Sequence, residues 1–87
     1  MTRTLEAFAL DVMNRARPYV HGDAMQAIED DFRCGEEEAA LICALEAAPQ
    51  LMTARDVEDL KSLMKDFYPV DKVLAQRVLD KASSVAA

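Results

Sequence analysis

Most of what could do chemistry in this chain lies in ten residues. Glu29, Asp30, Asp31, Glu36, Glu37 and Glu38 crowd six carboxylates and Arg33 around Gly35. Such a cluster can ligate a hard cation or meet another molecule's positive charge. Calcium fails on spacing, because a calcium loop of the helix-loop-helix type wants oxygen ligands at its first, third and fifth positions. Counting from Glu29, the fifth position is Arg33; counting from Asp30, the third and fifth are Phe32 and Cys34. His21 is the only histidine, with no serine or cysteine placed as its nucleophilic partner, so general-base catalysis has no support. Cys34 stands beside Arg33 but among acids, surroundings that do not single it out as a reactive thiol. Glycine-rich phosphate loops and Cys/His metal spacings are absent. The reading is a chain with no catalytic residues, no metal and no cofactor, hence not an enzyme.

Charge placement points to a partner. The net charge is -6, but it is unevenly spread. Between Asp23 and Asp59, eleven acids face only Arg33 and Arg55, a local balance of -9, while both flanking segments are slightly basic. Phosphate contacts need clustered Lys and Arg, so nucleic acid is not the expected direct partner. Glu36, Glu37 and Glu38 have a structural reason to exist, since they open a helix whose positive dipole end favours carboxylates by roughly 0.3 to 1 kcal/mol each. Glu29, Asp30 and Asp31 fall at a helix end, where the dipole disfavours them and no compensation is evident. Asp56, Glu58 and Asp59, read as the exposed side of a further helix, would extend the patch if that helix neighbours the second. The nine acids together form the candidate partner-binding set.

The elements that must position these residues are helices. Leu5, Phe8, Ala9, Val12, Met13 and Ala16 repeat with a 3.6-residue period, predicting a helix over 3–17 that Pro18 ends. Asp23 is expected to cap a second helix over 24–34, with Met25, Ile28 and Phe32 inward and Gly35 as its stop. Residues 36–48 are apolar on nearly every side, which predicts a central helix. Thr53 and Asp56 form a capping pair for a fourth helix, with Val57, Leu60, Leu63, Met64 and Phe67 as its stripe. Asp71 is expected to cap a last helix with Val73, Leu74 and Val78 inward. Nothing alternates like a strand, and two glycines are too few for hairpins. Hydrophobic residues make up 52% of the 87, enough for one packed domain spanning 1–87. The fold class expected is all-α, a compact bundle of about five short helices around a central apolar one. No stretch approaches the roughly 18 apolar residues of a membrane span, and no leader-like segment opens the chain, so a soluble, cytoplasmic protein with no membrane partner is expected. Cys34 and Cys43 would sit about 12 Å apart along the helix rise, too far for a disulfide, and are read as reduced structural thiols.

Across residues 25–64 the order of features is Gly35-Glu36 after a short helix, Ala40-Leu41 and Leu45 in an Ala/Leu-rich helix, then Thr53 opening a helix with Leu60 and Leu63. This pattern resembles the small MafI-type immunity proteins of bacterial polymorphic and contact-dependent toxin systems. It departs from that family at Ile42, where a glutamate usually follows Ala-Leu. The resemblance implies an all-helical protein that binds and silences a cognate toxin, commonly a nuclease, in the producing cell. A nuclease site built for phosphates is cationic, and a dense carboxylate patch complements such a surface. The leading expectation is therefore a non-enzymatic inhibitor of a basic toxin domain. The alternative is a small helical adaptor or regulatory subunit that homodimerises through Val73, Leu74 and Val78.

Overall fold

In the computed structural model, which describes the backbone of residues 1–86 and the side chains of 1–83, five α-helices follow one another. They are α1 (Leu5–Ala16), α2 (Gly22–Arg33), α3 (Glu37–Ala47), α4 (Ala54–Leu63) and α5 (Pro69–Ala86). Single 3-10 turns at Arg17–Tyr19, Pro49–Leu51 and Met64–Asp66 link them, two of them placed by prolines that cannot continue a helix. The expected all-α bundle is what the chain forms, and there is no strand among the described residues.

Local chemistry explains the helix starts. Thr4 Oγ1 accepts the Ala7 N–H at 3.1 Å and begins α1. Thr53 and Asp56 exchange side-chain and backbone bonds at 3.1 and 3.0 Å, the reciprocal capping expected of that pair. Two expected caps move. His21, not Asp23, caps α2, its Nδ1 accepting the Asp23 N–H at 3.4 Å. The last helix opens at Pro69, two residues before Asp71, because proline at the first helical position is already at helical φ and its missing N–H is not needed there.

Helices α1, α2 and α5 all pack on α3. Phe8, Ala9, Val12 and Met13 meet Ala40, Leu41, Ala44 and Leu45, joined by Met25, Ile28, Leu60, Phe67, Ala75, Val78 and Leu79. Each large side chain buried there contributes about 1.5–3 kcal/mol. On α5 the inward face is Leu74, Ala75, Val78 and Leu79, while Val73 is 63% exposed. That corrects the expected stripe at Val73; Leu74 and Val78 turn inward as expected, one half-buried and the other in the core, so neither is free for the dimer contact of the alternative reading. α3 is central, but it is not covered on all sides, since Cys43 and Ala47 face outward. Helix α4 attaches to α1, and its only fully buried apolar residue is Leu60. No helix among the described residues is long and apolar enough to cross a membrane.

Candidate functional site

The corner between α2 and α3 is made by Gly35, whose φ of +85° places it where residues with a Cβ are strained. The Gly35 N–H donates to the Phe32 carbonyl at 3.2 Å and the Glu36 N–H to the Asp31 carbonyl at 2.9 Å. This double bond pattern is a Schellman turn, a motif that usually brings a hydrophobic pair together at the positions held here by Asp31 and Glu36. Acidic residues thus hold both positions where an apolar contact would stabilise the turn.

The three acids at the end of α2 have different surroundings. Glu29 is half-buried and pairs with Arg17 from the turn after α1 and, at 3.5 Å, with Arg33 one helical turn on. Asp30 accepts from Gln26 at 2.9 Å and lies 3.5 Å from Arg33. The expectation that these two lack compensation is therefore corrected: Arg33 falls on their own helix face at three and four residues' spacing. Asp31 enters no ion pair among the described residues, and neither do Glu36 and Glu37.

At the start of α3, Glu38 Oε1 accepts the Tyr68 N–H at 3.1 Å and so ties α3 to the segment that opens α5. Burial, reinforced by the neighbouring Asp71 carboxyl, pushes the Glu38 pKa up despite that bond. Glu36, Glu37, Glu38 and Asp71 line a cleft of about 570 Å³ with Leu5 and Tyr68. Replacing Asp71 with Asn should return the Glu38 titration toward the ordinary carboxylate range, followed by carboxyl-carbon NMR; an unmoved titration would show that Asp71 is not the neighbour that matters.

Asp56 and Asp59 do not belong to the surface patch. They are 1% and 4% exposed and turn toward α1 and the N-terminal segment. Arg3 reaches Asp59 through Nε at 2.6 Å, Asp56 through Nη2 at 2.9 Å and Asp11 through Nη1 at 2.6 Å, with its guanidinium 4.4 Å above the Phe8 ring. Arg15 adds a bond to Asp56 at 2.8 Å and to the Leu51 carbonyl at 3.0 Å. Burial alone would raise the Asp56 pKa, but the Thr53 N–H, Arg3 and Arg15 outweigh it and hold it low. Asp59 is held low chiefly by Arg3. Both expected contact residues are thus internally matched, a correction that follows from α4 packing on α1 while α2 packs on α3. Glu58 alone of the three stays exposed.

Two residues outside the nine expected acids join the patch. They are Asp71, expected from the sequence as a cap, and Glu46, expected as part of the central helix. The Cys43 thiol is pushed up first by burial and then by Asp31, Glu46 and Asp71; Asp31 and Glu46 border the same surface of α2 and α3 as Cys43. Cys34 and Cys43 are both free and exposed, not structural core thiols. Among the described residues no group of three or more His, Cys, Asp and Glu side chains is arranged to hold a metal ion. No family model, curated protein or solved structure matches this chain.

Proposed function

We propose that this protein is a non-enzymatic immunity protein that binds a cognate bacterial toxin in the cytoplasm of the producing cell and neutralises it through an acidic face. The face consists of Asp31, Glu36, Glu37, Glu38, Glu46 and Asp71, with Glu29 and Asp30 at its margins and Glu58 apart from it on α4, and its partner is a protein with a cationic surface such as a nuclease domain. The observation that carries the reading is that acids, Asp31 and Glu36, hold both apolar-contact positions of the Schellman turn and that neither enters an ion pair among the described residues. Acids at these positions forgo the apolar contact that would stabilise the turn, and a partner's Lys and Arg give them a positive counterpart. Exposed carboxylates also steer a cationic partner at rates that fall with salt.

The test uses the immobilised protein to capture cationic proteins from its source cells at low salt, with growth protection against the captured protein as the functional readout. Changing Asp31→Asn, Glu36→Gln and Glu37→Gln together should slow association about tenfold or more, with the helical signal of the free variant unchanged. Equal capture and equal protection by the variant would remove the acidic face from the mechanism. A homodimerising adaptor is the second reading, favoured by Tyr68, Val70 and Val73, which are 74%, 71% and 63% exposed around the start of α5. A dimer that persists at high salt, and dissociates when Val70 and Val73 are made polar, would select it.

A further inference from the structure

The open side of α3 is unusual for a surface. Its exposed positions Cys43 and Ala47 face exposed Ala24 and Ala27 of α2, above Ile28, and together they line a groove of about 430 Å³. Exposed helix positions ordinarily carry long polar side chains, and a helix apolar on all sides ordinarily has all of them covered. Here one apolar side is left open, and its rim is charged: Asp31 from α2 and Glu46 from α3 border the groove. Neither rim residue enters an ion pair among the described residues. Short side chains on both walls let another helix approach closely, ridge into groove.

We propose that this groove seats a helix of a cationic partner, whose apolar stripe packs on Ala27, Cys43 and Ala47 and whose flanking Lys or Arg side chains meet Asp31 and Glu46. The inference rests on the reading above that the partner is cationic, and it adds the element by which the partner is held. A second copy of this chain fits poorly, because a two-fold contact at this groove would set Asp31 and Glu46 against their own copies on chains of net charge -6. Helix-in-groove binding reads the partner through side chains three and four residues apart.

The probe is a synthetic helical peptide with an alanine and leucine stripe between lysines, compared with a scrambled peptide of the same composition. The protein carries Cys34→Ser, so that a thiol reagent reports on Cys43 alone. The striped peptide should bind, slow Cys43 labelling at least about tenfold, and bind about tenfold more weakly to an Ala27→Gln, Ala47→Gln variant, both changes lying at exposed helical positions. If both peptides bind alike and labelling is unaffected, the groove is not the seat, while the acidic-face reading stands on charge alone. If neither binds at low salt, both readings fall. Protection of Cys43 that grows with protein concentration, without peptide, would give the groove to a second copy and overturn the assignment.

Discussion

Replacing Asp56 with alanine should destabilise the protein by about 3 to 5 kcal/mol, the usual cost of removing one partner from a buried ionic cluster. The Asp56 carboxylate accepts from Arg3, Arg15 and the Thr53 N–H at 2.9, 2.8 and 3.0 Å. Its loss leaves two guanidinium groups facing each other beside α4 without the anion between them, and it also removes half of a reciprocal cap. A domain of this size has about 5 to 15 kcal/mol of total stability, so the urea midpoint should fall by a large fraction. Asp56→Asn can still cap Thr53 but cannot neutralise the arginines, and should lie between the two. Asp11→Ala, at a side chain 49% exposed, should cost no more than about 1 kcal/mol. A midpoint for Asp56→Ala equal to that of Asp11→Ala would mean that α4 is held by apolar packing and that the cluster is incidental. The large cost of breaking the cluster does not make it a large net stabiliser, since desolvating four charged side chains offsets much of their attraction. Its effect is to specify where α4 lies, because α4 brings only Leu60 fully into the core.

The helices were legible because their signals are local. The apolar period of α1, the Thr53–Asp56 cap and the Gly35 stop each involve residues within one or two turns of each other, and each appears as read. The ionic cluster was not, because Arg3 lies 53 and 56 residues from Asp56 and Asp59, and a contact at that separation depends on which helices pack together. One local sign was nevertheless present. Asp56, Asp59, Leu60 and Leu63 follow the spacing i, i+3, i+4, i+7, so both aspartates share a face with buried leucine and not with the solvent. Two acids on an apolar stripe are a reason to search for an arginine elsewhere in the chain.

The acidic patch was legible in composition and only partly in geometry. Arg33 could be seen to serve Glu29 and Asp30 from its spacing alone, whereas Arg17 reaches Glu29 from the turn at Pro18, which redirects the chain so that α1 and α2 both pack on α3. Asp71 joins Glu38 because α5 returns to the start of α3, which no short-range pattern encodes. What remains after these pairings is narrower than a general acidic surface. It is a band along the open side of α3, from Glu36 and Glu37 past Asp31 to Glu46. The same band borders both the cleft with Tyr68 and the groove with Cys43, so charge and apolar area lie side by side, the usual composition of a protein contact.

Acid should unfold the protein in a way that Arg3→Ala blunts. Asp56 and Asp59 have folded pKa values below their unfolded ones, so their contribution is complete above the ordinary aspartate value of about 3.9 and is lost as pH falls through the folded values. Glu38 works in the opposite sense. Its folded pKa is raised, first by burial and then by Asp71, so acidification relieves the cost of burying its charge beside Asp71 before the ionic cluster begins to fail. Urea midpoints taken from about pH 7 down to about pH 3 should therefore stay level or rise slightly, then drop steeply at the acid end. In Arg3→Ala the midpoint starts lower and the acid drop is shallower, because Asp59 has lost its chief cation and Asp56 keeps only Arg15 and its cap. Asp71→Asn should shrink the shallow rise to the part due to burial of Glu38 and leave the steep drop in place. Parallel curves for the parent and Arg3→Ala would locate the acid-sensitive carboxylates elsewhere, and with them the element that fixes α4.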